Sequence, residues 1–238
     1  MLSSGNYVLY LCFSLPALLL GLFAQFKVKS NFSKYSRVRT SSGASGAQVA
    51  RLMLDQNGLH NVKIELTQGH LSDHYDPSKK VLRLSKDVYY GNTIAAAGIA
   101  AHESGHALQH SKGYFPLHIR SLMVPSVRLG SWLGPVIFSI GMMMEYLISN
   151  SDLGFQIALI GIILFAATAL FSIITLPVEI NASKRAKKWL VTSAGFNKEE
   201  MRGVNQMLDS AALTYVAAAV QAIMSVLYYA TILFRRRD

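Results

Sequence analysis

Four stretches of this 238-residue chain run without a Lys or Arg for about the length a bilayer demands, roughly 20 residues. They cover residues 6–26, 129–148, 153–176 and 211–234, and the third is the clearest. Backbone N–H and C=O groups in hydrocarbon must be satisfied inside the segment, so each stretch reads as a helix. Pro16 and Pro135 are candidate kinks. Composition agrees: 51% of residues are hydrophobic and only 15% charged, against roughly 25% charged in soluble globular chains. A wholly soluble or disordered chain is therefore excluded. One cysteine, Cys12, excludes a disulfide framework and a Cys-rich zinc finger. Set among Leu11, Phe13 and Leu15, it is expected to be a buried bystander thiol.

The net charge of +10 is a topology signal. Lys27, Lys29, Lys34, Arg37 and Arg39 follow the first stretch, and no basic residue precedes it. That order favours a retained anchor with its N-terminus outside over a cleaved signal peptide. Lys184, Arg185, Lys187, Lys188, Lys198 and Arg202 follow the third stretch, while the loop from Ser149 carries no basic residue. With four spans, residues 27–128 and 177–210 fall on one side, expected to be cytoplasmic. The tail Arg235–Arg236–Arg237 would then lie outside. Either the rest of the chain overrules this short tail, which we favour, or the last stretch is a re-entrant hairpin. Nucleic acid is not an expected partner, because no basic face interleaved with aromatics is present.

The chain divides into an anchor (1–26), a cytoplasmic α+β unit (27–128), a transmembrane hairpin (129–176), cytoplasmic helices (177–210), and a last span with its basic tail (211–238). The expected fold class is mainly α and integral to the membrane: about four spanning helices and a small α+β unit. Within that unit a helix is expected over 47–56, ended by Asn57-Gly58. Strands are expected over 62–66 and 80–84, as a small hairpin or meander, with the polar run Asp73–Pro77 as a turn. A long Ala-rich helix follows, with Asn92 as its N-cap. Asn197-x-x-Glu200 reads as a capping box opening a helix that leads into the last span.

His102-Glu103-Ser104-Gly105-His106 lies in the Ala-rich helix. Histidines at i and i+4 share one helix face, so two imidazoles can converge on one ion. Zinc lowers the pKa of a water towards 7, and the glutamate between the histidines is offset to act as the base without being a ligand. A catalytic zinc of this type takes three protein ligands. His110 continues the i+4 series but sits a further turn away. Gln109 occupies the position where a metzincin would have glycine, which disfavours that class. Glu179, in LPVEINASKRA, is the better third ligand. It falls on the same membrane side, and a carboxylate at the end of an apolar span is costly unless paired or metal-bound. Pro177 can start or kink a helix there.

AHESGHALQH, with GHLSDHYDP upstream and LPVEINASKRA and AALTYVAAA downstream, resembles the YugP-type family of bacterial membrane zinc metallopeptidases over nearly the whole chain. A looser resemblance runs to HtpX-type and CAAX prenyl proteases. The resemblance implies a gluzincin-like site with His102, His106 and Glu179 as ligands of one Zn2+ per chain and Glu103 as general base. Two departures concern the surroundings of the ligands. Ser183 stands where the HtpX-like pattern has Asp, and Asn181 where the YugP-type pattern tends to Asp.

The expected function is a membrane-embedded zinc endopeptidase in the cytoplasmic membrane, its site on the cytoplasmic face, acting on peptide or membrane-protein substrates. A part in membrane protein quality control is an analogy from the HtpX-type resemblance. His74, Tyr75 and Tyr215 are candidates for oxyanion or substrate contacts. His60 and His118 read as surface residues, and Glu145 as interfacial on the opposite side. The main alternative is a catalytically inactive zinc-binding membrane scaffold. A di-iron hydroxylase would need more clustered histidines than the seven present. A transporter using Glu145 and Glu179 would need paired broken half-helices, which the pattern lacks.

Overall fold

The computed structural model describes residues 4–148 and 152–235. Loop residues 149–151 and the tail residues Arg236 and Arg237 lie outside the described residues. The chain forms two compact units. Described residues 4–23, 119–148, 152–176 and 214–235 make a helical unit, and residues 24–118 and 177–213 make an α+β unit.

Among the described residues, four helices are long and apolar enough to cross a membrane. These are α1 (Ser4–Tyr35), α5 (Phe115–Leu147), α6 (Asp152–Thr192) and α7 (Lys198–Phe234). Within the helical unit, α5 and α6 approach through glycines. A Cβ on Gly141 would lie 2.6 Å from the Gly154 carbonyl, and one on Gly161 would lie 2.8 Å from that of Gly134. Small residues let helix backbones close to this range where lipid gives no hydrophobic drive between helices. Phe138, Ala158, Ile162 and Leu233 form the buried cluster beside this seam. Cys12 corrects the expectation of burial, since it is exposed on α1 beside Leu11, Leu15 and Leu18. A spanning helix turns apolar side chains outwards to lipid, so apolar neighbours there do not imply a protein core. Helix α6 runs on through Pro177, which therefore does not start a helix.

The α+β unit opens with α2 (Gly46–Gln56). Its capping box closes at both ends: Ser45 Oγ accepts from Gln48 N, and Gln48 Oε1 accepts from Ser45 N. Asn57 and the left-handed Gly58 (φ +74°) terminate it. Strands β1 (Lys63–Thr67), β2 (His74–Asp76) and β3 (Val81–Ser85) form one sheet in the order β1-β3-β2. This corrects two expectations. First, β1 and β3 pair in parallel and do not form a hairpin with each other. Second, part of the run read as a turn is strand β2, antiparallel to β3. The reason is local. Asp76 Oδ1 accepts from the backbone of Ser78 and Lys79 and from the Ser78 hydroxyl, so the tight turn falls after Asp76. The apolar β3 then enters the middle of the sheet, where Leu82 and Leu84 are fully buried.

After the single-turn α3 (Lys86–Tyr89), helix α4 (Ile94–Ser111) runs through the core of this unit and is capped by Thr93, one residue after the expected Asn92. Thr93 Oγ1 accepts from Ala96 N. Its small residues let neighbours come close on several sides. Gly98 faces Val204 and Met207 of α7, and Gly105 faces the backbone of Ala182 in α6. The capping box at Asn197 is present: Oδ1 accepts from Glu199 N and Glu200 N, and Glu200 Oε2 accepts from Asn197 N.

Candidate metal centre

Helix α4 carries His102, Glu103 and His106, and α6 carries Glu179 and Ser183. The two helices meet where a Cβ on Gly105 would lie 2.6 Å from the Ala182 carbonyl. That closeness brings the side chains together. His102 Nε2 lies 3.2 Å and His106 Nε2 3.5 Å from Glu179 Oε2. Among the described residues these three form the one group of His, Cys, Asp and Glu whose ligand atoms all lie within 4.8 Å of one another. Glu179 is 2% exposed and His106 7%.

The donor set can be tested against zinc by geometry. Ligand atoms about 2.0–2.1 Å from a tetrahedral ion stand about 3.3 Å from each other. The two contacts to Glu179, at 3.2 and 3.5 Å, bracket that edge. Two imidazole nitrogens and one carboxylate oxygen are also the chemistry of a catalytic site that keeps a position open. The residues fit the ion.

Each histidine is held at its other nitrogen. His102 Nδ1 lies 3.1 Å from Ser183 Oγ, and His106 Nδ1 lies 2.9 Å from Gln109 Oε1. Such contacts orient a ligating ring. Ser183 thus supplies a hydroxyl partner at the position where the HtpX-like pattern has Asp. Asn181 pairs with none of the three converging residues. Its Oδ1 accepts from Gln109 Nε2 at 3.0 Å and from Arg185 Nε at 2.7 Å.

Glu103 Oε2 accepts from the backbone N–H of Tyr75 at 3.1 Å. Burial pushes the Glu103 carboxyl above its ordinary range, and the charges of His102 and His106 oppose this only in part. A raised carboxyl is a better base near neutral pH. Burial works against a charged His106 ring, but its hydrogen bond to Glu179 and the charges of Glu103 and Glu179 outweigh it. The His106 ring therefore holds its proton above the ordinary range.

The other candidates separate. Tyr75 reaches Glu103 through its backbone, while its hydroxyl lies 2.9 Å from His110 Nδ1. His110 is occupied there and is not in the three-residue group. His74 points elsewhere: it pairs with Ser72 O and, across the strands, with Arg83. Tyr215 belongs to α7 in the helical unit. Sequence reasoning missed Gln109 as a partner of His106. A long amide three residues after a histidine, at a position inside a buried helix, was the available signal.

Residues 10–234 match the family described as "Putative neutral zinc metallopeptidase", and the chain belongs to that family. It is 46% identical over 231 residues to a Bacillus subtilis protein named "Putative membrane protease YugP", covering 97% of this chain and 99% of that one. No solved structure matches the chain at a significant level.

Proposed function

We propose that the protein is a membrane-embedded zinc endopeptidase that holds one zinc with His102, His106 and Glu179 and uses Glu103 as its general base. The observation that carries this reading is the convergence of His102, His106 and Glu179, with Glu179 Oε2 at 3.2 and 3.5 Å from the two imidazole Nε2 atoms and Glu103 on the same helix as the histidines. When bound, zinc acidifies a water and polarises the scissile carbonyl. Glu103 accepts the proton of the attacking water and hands it to the leaving amine. Its raised proton affinity suits both halves of that task. Ser183 and Gln109 keep the two imidazoles turned inwards. The Lys and Arg pattern supports a site on the cytoplasmic face, acting on peptides or on segments of membrane proteins. The HtpX-type resemblance supports a role in membrane protein quality control.

The test is Glu103→Gln in the detergent-purified full chain, with zinc content and cleavage of unfolded protein substrates measured together. One zinc per chain in both proteins, with cleavage reduced about 10²–10⁴-fold in the variant, is the expected result. Equal cleavage by the two proteins would remove Glu103 as the base, and one zinc with no cleavage in either protein favours the inactive zinc-binding scaffold.

A further inference from the structure

The Nδ1 atom of His106 faces Gln109, whose side chain is 0% exposed and has every polar atom in use. An amide can stand either way round, and only one way presents an acceptor to His106. The surroundings decide which. Gln109 Nε2 lies 2.8 Å from the carbonyl of Val178 and 3.0 Å from Asn181 Oδ1. A backbone carbonyl only accepts, so this end of Gln109 must be the amine. Asn181 poses the same question, and Arg185 answers it: its Nε, 2.7 Å from Asn181 Oδ1, only donates. The chain of bonds is thus anchored at one end by a guanidinium and at the other by a carbonyl, neither of which can reverse its role.

We propose that Gln109, fixed in orientation by Val178 and by the Asn181–Arg185 pair, is the positioning residue that keeps a proton on His106 Nδ1 and so leaves Nε2 as the nitrogen turned to the metal. The proposal rests on the zinc-site reading for its consequence, but its geometry does not require the ion. It also sets what position 181 requires. The position needs an oxygen that accepts twice, and Asn or Asp supplies one.

Two measurements on the full chain in detergent test it. In metal-free protein labelled with 15N-histidine, at a pH high enough for the His106 ring to be neutral, His106, assigned by its absence in His106→Ala, is expected to show a protonated Nδ1 with slowed solvent exchange and an unprotonated Nε2. An unprotonated Nδ1, or one that exchanges freely, overturns the proposal whatever the zinc content. In chelator competition, Gln109→Met is expected to weaken zinc binding by about 10–100-fold. Gln109→Glu still accepts from His106 but sets a carboxylate against two acceptors, so it should also bind more weakly than wild type. Asn181→Asp should stay within about twofold. Zinc binding by Gln109→Glu that equals wild type would make Gln109 a mere acceptor and refute the argument. Where Gln109→Met fails to fold, the Nδ1 signal and Asn181→Asp still decide. A wild type that binds no zinc would sink the peptidase reading, while the Nδ1 proton would still judge this one.

Discussion

Replacing Gly105 by Ala should weaken the metal centre without touching a ligand. The new Cβ would stand 2.6 Å from the Ala182 carbonyl oxygen and 3.2 Å from its carbon, and both are backbone atoms that no rotamer change can move. Ordinary contact begins near 3.4 Å, so α4 and α6 must separate locally by about 0.8 Å. His102 and His106 travel with α4, while Glu179 and Ser183 travel with α6. Ligand contacts of 3.2 and 3.5 Å would then open towards 4 Å, beyond the edge of about 3.3 Å that zinc allows. Stability should change less. Ala gains about 1 kcal/mol of helix propensity over Gly, while overpacking costs about 1–3 kcal/mol. The expected result is zinc affinity reduced at least about tenfold in chelator competition, with thermal unfolding in excess EDTA near that of wild type. A variant that binds zinc as tightly as wild type would refute the claim that helix separation sets the ligand spacing.

Glu179→Ala should reduce bound zinc below one per chain after dialysis against a weak chelator; full retention would remove Glu179 from the ligand set. Zinc affinity should fall as pH falls. The metal needs a neutral His106, whose proton affinity in the metal-free protein lies above the ordinary histidine range, so competition begins above pH 6.5. Chelator competition at pH 8, 7 and 6 reads this, and a flat profile contradicts it. Gly141→Leu should destabilise the α5–α6 pair by about 1–3 kcal/mol or more in detergent unfolding, because its Cβ meets the backbone of Gly154 and Ala158. Gly21→Leu on α1, where a Cβ meets nothing within 4 Å, is the control and should be near neutral.

Much of the local structure was legible because it follows from short-range chemistry. The α2 helix is bounded by a capping box and an Asn-Gly stop, and Asn197 and Glu200 satisfy each other's backbone as their spacing requires. The i, i+4 histidines needed only helix geometry to share a face. Strand order was not legible. Nothing in residues 62–85 states that β3 will be inserted between β1 and β2, since that choice depends on burying Leu82 and Leu84 against the helices. The partners of the ligands were also hidden. Gln109 meets Val178 and Asn181, some seventy positions away in sequence, and Ser183 meets His102 only because Gly105 permits the approach. Pairings at that separation leave no periodic trace in a single sequence.

The order in which the three converging side chains are made has a consequence for biosynthesis. His102 and His106 leave the ribosome before either helix of the α5–α6 hairpin, and Glu179 follows only after both of its apolar stretches have been translated. A nascent chain that ends short of Glu179 holds two of the three side chains that converge in the finished protein. Completion of the candidate centre is therefore timed by translation of the α5–α6 hairpin, and a truncated or prematurely released chain lacks the third converging side chain by construction.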